Sequence, residues 1–309
     1  MLFLTPLKYK WDNIKSNMDK NKQKFLLYLI ILPAFLIFFI FFLVPFISGV
    51  FISFTSWNGL GEIKFVGFKN FIEFFTEKNA LLALVRTLWI AFIIVILQNI
   101  AALFFAVILE KKIKGRGLFK VIFFMPAILC SIVVGYMWSF IFDPANGVFN
   151  KLFTFFNLSE LSKINVLGNP KLALYGIIFT LLWQYTGYAM VIYAAGLSNV
   201  PLELNEAGYI DGTNSWQNFR YITFPMIAPA VTINILLSAI GALKIFEHIF
   251  VMTGGGPGRS TESLTLLIYR EGFGAFRLGF GTAAATILFI IVLIISLILL
   301  AFLRRREIY

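Results

Sequence analysis

Glu203-Leu-Asn-Glu206-Ala-Gly-Tyr-Ile-Asp211-Gly212-Thr-Asn-Ser-Trp-Gln-Asn-Phe219-Arg-Tyr-Ile-Thr-Phe-Pro225 is a polar, helix-breaking island between two long hydrophobic runs. Those runs, about 172–197 and 228–250, are each long enough to cross a bilayer, whose core needs roughly 20 apolar residues per helix. Working outward, stretches at about 26–54, 81–109, 119–142 and 281–303 meet the same length. None alternates with the period of two that a membrane β-barrel requires. The expected fold is therefore all-α: a polytopic helical membrane protein with six transmembrane helices. It forms a single domain over 1–309, and the island is a loop at about 200–226.

Composition narrows the function classes. Hydrophobic residues make up 60% of the chain and charged residues 13%, which excludes an ordinary water-soluble domain. The Lys-rich start (Lys8, Lys10, Lys15, Lys20, Lys22, Lys24) superficially resembles a signal peptide. Its apolar run is too long, and no small-residue cleavage site follows Val44-Pro45, so it reads as an uncleaved first span. With the N-terminus inside, that tail, the basic turn from Lys111 to Lys120, Arg220 and Arg304–Arg306 fall on one side. They outweigh Lys64, Lys69, Lys78, Lys151, Lys163, Lys171, Arg259, Arg270 and Arg277 opposite. The bias places both termini in the cytoplasm. The net charge of +11 is mostly this topology signal, because nucleic-acid binding would need a basic face on a soluble module. Cys130 stands alone within the third span, so no disulfide or metal framework is expected, and it reads as a small packing residue.

The island has local grammar of its own. Pro201 suits the first turn of a helix, where a missing N–H costs nothing. Glu203 and Glu206 fall in early turns, where negative charge suits the helix dipole. Asp211-Gly212 ends that helix, since Gly adopts the left-handed conformation a terminus needs. Thr213, Asn214 or Ser215 can cap the next helix through Trp216, Phe219 and Ile222. Pro225 and Pro229 mark the start of the fifth span. The prediction is a helix–turn–helix lying below the membrane. Ala207 and Gly208 give its first helix a slim face that lets a partner backbone approach. The residues alone leave two readings open: an interfacial hairpin without a partner, or a docking element.

The order and spacing of the island resemble the EAA loop of permease subunits in binding-protein-dependent ABC importers. Glu206-Ala207-Gly208 stands where that family usually has Glu-Ala-Ala. Gly212 matches the family's glycine, and Ile222 and Pro225 match its later Ile-x-x-Pro, with Phe224 where Leu is usual. Gly115-Arg116 with Phe119, Phe123-Phe-Met-Pro126 and the stretch 138–147 are also similar to the family. Phe246-Glu247 followed by Val251-Met-Thr-Gly-Gly-Gly-Pro257 resembles its carbohydrate-uptake branch, maltose-type or multiple-sugar-type, where Asp is more usual than Glu247. The resemblance implies a type I ABC importer permease fold in a bacterial cytoplasmic membrane. It makes the loop (Glu203, Glu206, Ala207, Gly208, Asp211, Gly212, Pro225) the element that couples to an ATPase, with Glu206 its charged contact and Gly212 the hinge. The implied partners are a second permease subunit, expected as a heterodimer, two cytoplasmic ATPase subunits and an extracytoplasmic solute-binding protein. The chain has no Gly-x-x-x-x-Gly-Lys-Ser/Thr loop. ATP and Mg are thus expected on a partner, with no cofactor and no catalytic residue in this chain. Gly254–Gly258 lacks the Lys, and Gly254, Gly255, Gly256 and Pro257 read either as a flexible turn or as a surface meeting the binding protein.

Charges within spans are costly and usually functional. Lys244, Glu247 and His248 are spaced i, i+3 and i+4, which puts them on one face of a continuous helix. They read as a polar stripe along a solute path, or as a Lys–Glu pair reaching the interface with His248 as a helix-end hydrogen-bonder. Trp183, Gln184, Tyr185 and Tyr188 offer aromatic faces and an amide suited to a sugar, or aromatic packing between helices. Gln98 and Asn99 read as polar glue, and Arg86 as reaching outward. Two other classes compete. A membrane-embedded enzyme needs an acid or His cluster at a membrane face. A secondary transporter is expected to show internal repeats and broken mid-membrane helices, neither of which is evident in the sequence.

Overall fold

The computed structural model describes residues 20–110, 114–158 and 164–307, with side chains from Tyr28 onward. Lys8, Lys10, Lys15, Lys111, Lys112 and Lys163 of the charge argument lie outside the described residues, as do the side chains of Lys20, Lys22 and Lys24. Contacts divide the chain into 1–52 and 53–309. In the first unit, α1 (Lys20–Phe38) passes through a π-helical turn at Phe39–Leu43 into α2 (Val44–Ile52). The wide turn contains Phe41, whose carbonyl would otherwise meet the ring of Pro45. Residues Tyr28–Ile52 are apolar all round and bury nothing within the unit, as expected of a helix solvated by lipid.

The second unit is built along one long helix. Its elements are α3 (Lys69–Thr76), α4 (Lys78–Glu110), α5 (Arg116–Ile128), α6 (Ser131–Ile141) and α7 (Val148–Phe155). They continue as α8 (Ala173–Ser198), α9 (Leu202–Ile210) and α10 (Ser215–Met226, with a π turn at Phe219–Thr223). The last are α11 (Ala228–Leu243), α12 (Glu247–Met252), α13 (Leu264–Tyr269) and α14 (Leu278–Arg304). The 33 residues of α4 span about 50 Å at 1.5 Å per residue. Three apolar cores are stacked along it. Ala80 and Ala83 pack with α13 and α14, Ile90 and Ile94 with α6, α8 and α12, and Ala102 and Ala106 with α8 and α11.

Polar side chains pin these helices across the apolar interior. Tyr193 Oη donates to Asn99 Oδ1 at 2.7 Å, Asn99 Nδ2 donates to Ser238 Oγ at 2.9 Å, and Asn234 Nδ2 donates to the Ala189 carbonyl at 3.1 Å. Gln98 Nε2 reaches the Tyr185 carbonyl at 3.3 Å, so both residues of the expected polar glue bridge helices. The α8–α5 crossing depends on Gly187, where an added Cβ would sit 1.8 Å from the Phe123 carbonyl oxygen. Small residues at such crossings let backbones approach, which is how helices gain contact inside lipid.

Among the described residues four helices are long and apolar enough to cross a membrane, and the number rises to six when each of two bent pairs is counted as one span. The bend in the third span and a break within the fifth correct the sequence expectation of unbroken spans. The third span turns by 99° between α5 and α6, with Leu129 and Cys130 extended at the corner. Pro126, three residues earlier, removes a backbone donor and crowds the preceding turn. The fifth span opens after a 71° bend between α10 and α11, bracketed by Pro225 and Pro229. It ends at Leu243 and restarts at Glu247, so 228–250 is not one helix. Broken helices are thus present after all.

The crossing predicts unequal costs for two glycines. Gly187→Val should destabilise the protein by about 3 kcal/mol or prevent folding. Gly241→Ala, with nothing within 4 Å of its Cβ, should be neutral or stabilising. Thermal unfolding of both variants in detergent measures the difference.

Candidate functional site

The island folds into a tightly braced hairpin. Pro201 caps α9 rather than occupying its first turn, and Glu203 lies in that turn. The helix closes on Gly212, whose φ of +85° is the left-handed conformation that favours glycine. There Gly212 N donates to the Tyr209 carbonyl at 3.1 Å and Thr213 N to the Gly208 carbonyl at 3.0 Å, a Schellman pair. Asn214 then caps α10 in a reciprocal box. Its side chain accepts from Gln217 N, and Gln217 Oε1 accepts from Asn214 N, both at 2.8 Å. Asn218 Nδ2 donates across the hairpin to the Asn205 carbonyl at 3.0 Å, and Thr223 Oγ1 to Asn205 Oδ1 at 3.1 Å.

Gly208 corrects an expectation. Its bare face meets the hairpin's own second helix, where a Cβ would lie 2.4 Å from Ile222 Cδ1 and 2.9 Å from Asn218 Nδ2. The slim surface at Gly208 therefore lets α9 and α10 close on each other and is filled from within the hairpin. Glu203, Glu206, Ala207, Asp211 and Gly212 are exposed, whereas Pro225 is half-buried at the hairpin's root. Sequence reasoning passed over Ile210 and Trp216, which are 85% and 69% exposed beside the carboxylates. Large apolar side chains held outward on a braced tip mark a contact surface. The signal was present as bulky apolar residues flanking the turn glycine. At the root, Glu110 accepts from Ser198 Oγ and pairs with Lys120 Nζ, each at 3.1 Å, tying together the ends of α4, α5 and α8.

A second constellation lies along α4, α8 and α11. Tyr185, Tyr188, Lys244 and Glu247 line one groove of about 410 Å³, together with Gln98 and the α11 residues Asn234, Ser238 and Gly241. Asn234 and Ser238 share a face at i and i+4, a polar stripe legible in the sequence but overlooked there. Lys244 and Glu247 are exposed to the groove and form no ion pair with each other. The groove thus offers phenol rings, an amide, a hydroxyl and both charge signs.

Three expected path residues face elsewhere. Trp183 packs edge-on against Trp138 at 5.5 Å. Gln184 is buried, donating to the Leu129 carbonyl at 3.0 Å and meeting His248 Nε2 at 2.6 Å through Oε1. His248 is fully buried and leaves the face of Lys244 and Glu247 because the helix breaks between Leu243 and Glu247. The i, i+3, i+4 argument assumed a continuous helix. Among the described residues no three His, Cys, Asp or Glu side chains gather to hold a metal.

The glycine-rich segment is a hydrogen-bonded loop. Thr261 Oγ1 donates to the Gly256 carbonyl at 2.9 Å, and Arg270 Nη2 to the Gly254 carbonyl at 2.9 Å. The same arginine pairs with buried Glu262 at 2.5 Å. Gly255 is buried against Leu266, Gly256 and Pro257 are half-buried, and Gly254 and Gly258 face outward.

Residues 87–309 match the family described as the binding-protein-dependent transport system inner membrane component. The chain is 33% identical to a probable starch degradation products transport system permease protein of Thermoanaerobacterium thermosulfurigenes, across 91% of this chain and 94% of that one. It is 30% identical to a trehalose/maltose transport system permease protein of Thermococcus litoralis, across 96% and 99%. With a multiple sugar-binding transport system permease protein of Streptococcus mutans the identity is 32%, across 87% and 92%. Among solved structures, a bacterial ABC transporter that imports the acidic polysaccharide alginate aligns with a TM-score of 0.81 at 23% identity, covering 96% of this chain and 99% of that one. At that identity the likeness bears on the fold.

The Gln184 bridge is open to a double-mutant cycle. Gln184→Leu leaves both the Leu129 carbonyl and His248 Nε2 unpaired and should destabilise by about 2 to 4 kcal/mol. Adding His248→Leu should cost less than the two single changes together. Thermal unfolding of the four proteins in detergent measures the coupling.

Proposed function

The chain belongs to the family of inner membrane components of binding-protein-dependent transport systems, and on that footing we propose that it is the non-catalytic permease subunit of an ATP-driven sugar importer. The observation that carries the mechanism is one of continuity. The braced hairpin runs through the bend at Ile227 into α11, and α11 bears Asn234, Ser238 and Gly241 on the wall of the groove. A push on exposed Glu206, Ile210 and Trp216 therefore reaches the groove through one connected body. The Schellman turn and the capping box keep the push from being lost in the loop, and the Glu110 clamp passes it to α4, α5 and α8.

In this reading both termini and the hairpin are cytoplasmic, and the transmembrane domain forms half of the translocation path beside a second permease subunit. Two ATPase subunits dock below and hold ATP and Mg, with Glu206 as the charged contact and Gly212 the turn that sets the angle between α9 and α10. A solute-binding protein delivers from the opposite side, where Gly254 and Gly258 face out. A sugar fits the groove's chemistry: apolar C–H faces stack on Tyr185 and Tyr188, while Gln98, Asn234 and Ser238 hydrogen-bond hydroxyls. The names of three relatives, which refer to starch degradation products, trehalose/maltose and multiple sugars, agree with that class. Broken helices alone would have kept the secondary-transporter reading open; family membership supports a permease subunit over it and over a membrane-embedded enzyme.

Two transport measurements test this. Glu206→Lys should reduce uptake to background in vesicles while the protein stays inserted and the solute is still captured outside; unchanged uptake would remove the coupling role. Tyr188→Ala should lower transport several-fold, whereas Trp183→Ala, turned toward Trp138, should change it far less. Equal effects would dissociate the groove from the path.

A further inference from the structure

A separate cleft of about 350 Å³ opens where α10 bends into α11 and meets the end of α14. Its charged groups are the guanidinium groups of Arg220 and Arg306, brought together from segments more than eighty residues apart in the chain, and its other polar side chain, Thr232, donates its hydroxyl to the Ala228 carbonyl at 3.1 Å. Neither has a carboxylate partner among the described residues. Arg306 lies over the Phe302 ring, its Cζ 4.9 Å from the centroid, which orients the planar group without neutralising it. Ala228, at the start of the 16-residue α11, also lines the cleft, and the leading N–H groups of such a helix add positive potential. The remaining wall is apolar, including Phe224, Val231 and Leu303.

We propose that this cleft binds the phosphate headgroup of an anionic phospholipid, with one acyl chain lying along the apolar wall between α11 and α14. The charge calls for an anion, and the planar guanidinium forks match phosphate oxygens. The wall selects the source. Val231 and Leu303 belong to helices of membrane-spanning composition, and a lipid supplies a phosphate and a hydrocarbon chain in one molecule. Basic pockets between helices at a membrane surface take anionic headgroups for this reason. The cleft shares no residue with the solute groove or with the exposed tip of the hairpin. The lipid therefore sits at the bend through which the hairpin joins α11. The assignment needs only that α11 and α14 cross a bilayer, so it stands apart from the reading of the solute.

The test is titration of the purified full-length protein in uncharged detergent, read by native mass spectrometry. The probes are phosphatidylglycerol, phosphatidylcholine and inorganic phosphate. Phosphatidylglycerol should bind in preference to phosphatidylcholine, and the double variant Arg220→Gln/Arg306→Gln should weaken it about 10- to 30-fold. Arg220→Lys/Arg306→Lys, which keeps the charge, should retain part of the preference and controls for folding. Millimolar inorganic phosphate should not displace the lipid. Equal binding of the two lipids, unchanged binding by the Gln double variant, or displacement by inorganic phosphate would each overturn the assignment.

Discussion

Within a bilayer no water is available to satisfy a backbone carbonyl, so each break in a membrane helix needs a donor from elsewhere in the protein. The second unit is organised around that constraint. At the corner between α5 and α6, the Leu129 carbonyl accepts from Gln184. At the break after α11, the Ile245 carbonyl accepts from Ser263 Oγ at 3.0 Å and also from Thr265 Oγ1. Gln184 then reaches His248 just past the second break, so one side chain on α8 ties both irregular segments together. Tyr185 and Glu247, the chain neighbours of Gln184 and His248, face the groove. The groove's shape is therefore a consequence of how two broken spans are repaired.

The other half of the account is stiffness where the chain leaves the membrane. A polar loop of this length would ordinarily be mobile, yet its helix end, its cap and its cross-links to Asn205 are all satisfied internally. Gly208 makes this possible by letting the two helices touch. With its backbone turn, cap and Asn205 cross-links paired internally, and the buried Thr213 hydroxyl the exception, the hairpin leaves carboxylates and apolar side chains outward at the tip. That division, braced inside and exposed at the end, is what a force-bearing contact requires.

Much of this was readable from residues. Length and apolarity gave the spans, Gly212 gave the turn, and the flanking Asn and Pro residues gave the start of α10 and its bend into α11. The family resemblance of the loop agreed with the match over residues 87–309. What escaped reading depended on tertiary donors or on continuity. Pro126 indicates a weak point, but the sequence does not say that Gln184 will be there to complete a 99° turn. His248 left the stripe expected with Lys244 and Glu247 because a helical period has no meaning across a break. Gly208 looked outward-facing because which side of α9 meets α10 follows from the Schellman turn's geometry. Asn234 and Ser238 were legible and missed, since attention went to charges rather than to amides and hydroxyls at i, i+4.

The central claim is that the tip of the α9–α10 hairpin meets a separate ATPase. The most direct measurement places a photoreactive residue at position 210, where Ile210 is 85% exposed, and irradiates the protein in its native membrane. The account predicts a covalent adduct, identified by mass spectrometry, with a polypeptide carrying the phosphate-binding loop this chain lacks. Efficient labelling of lipid alone would contradict it and return the hairpin to an interfacial element without a partner.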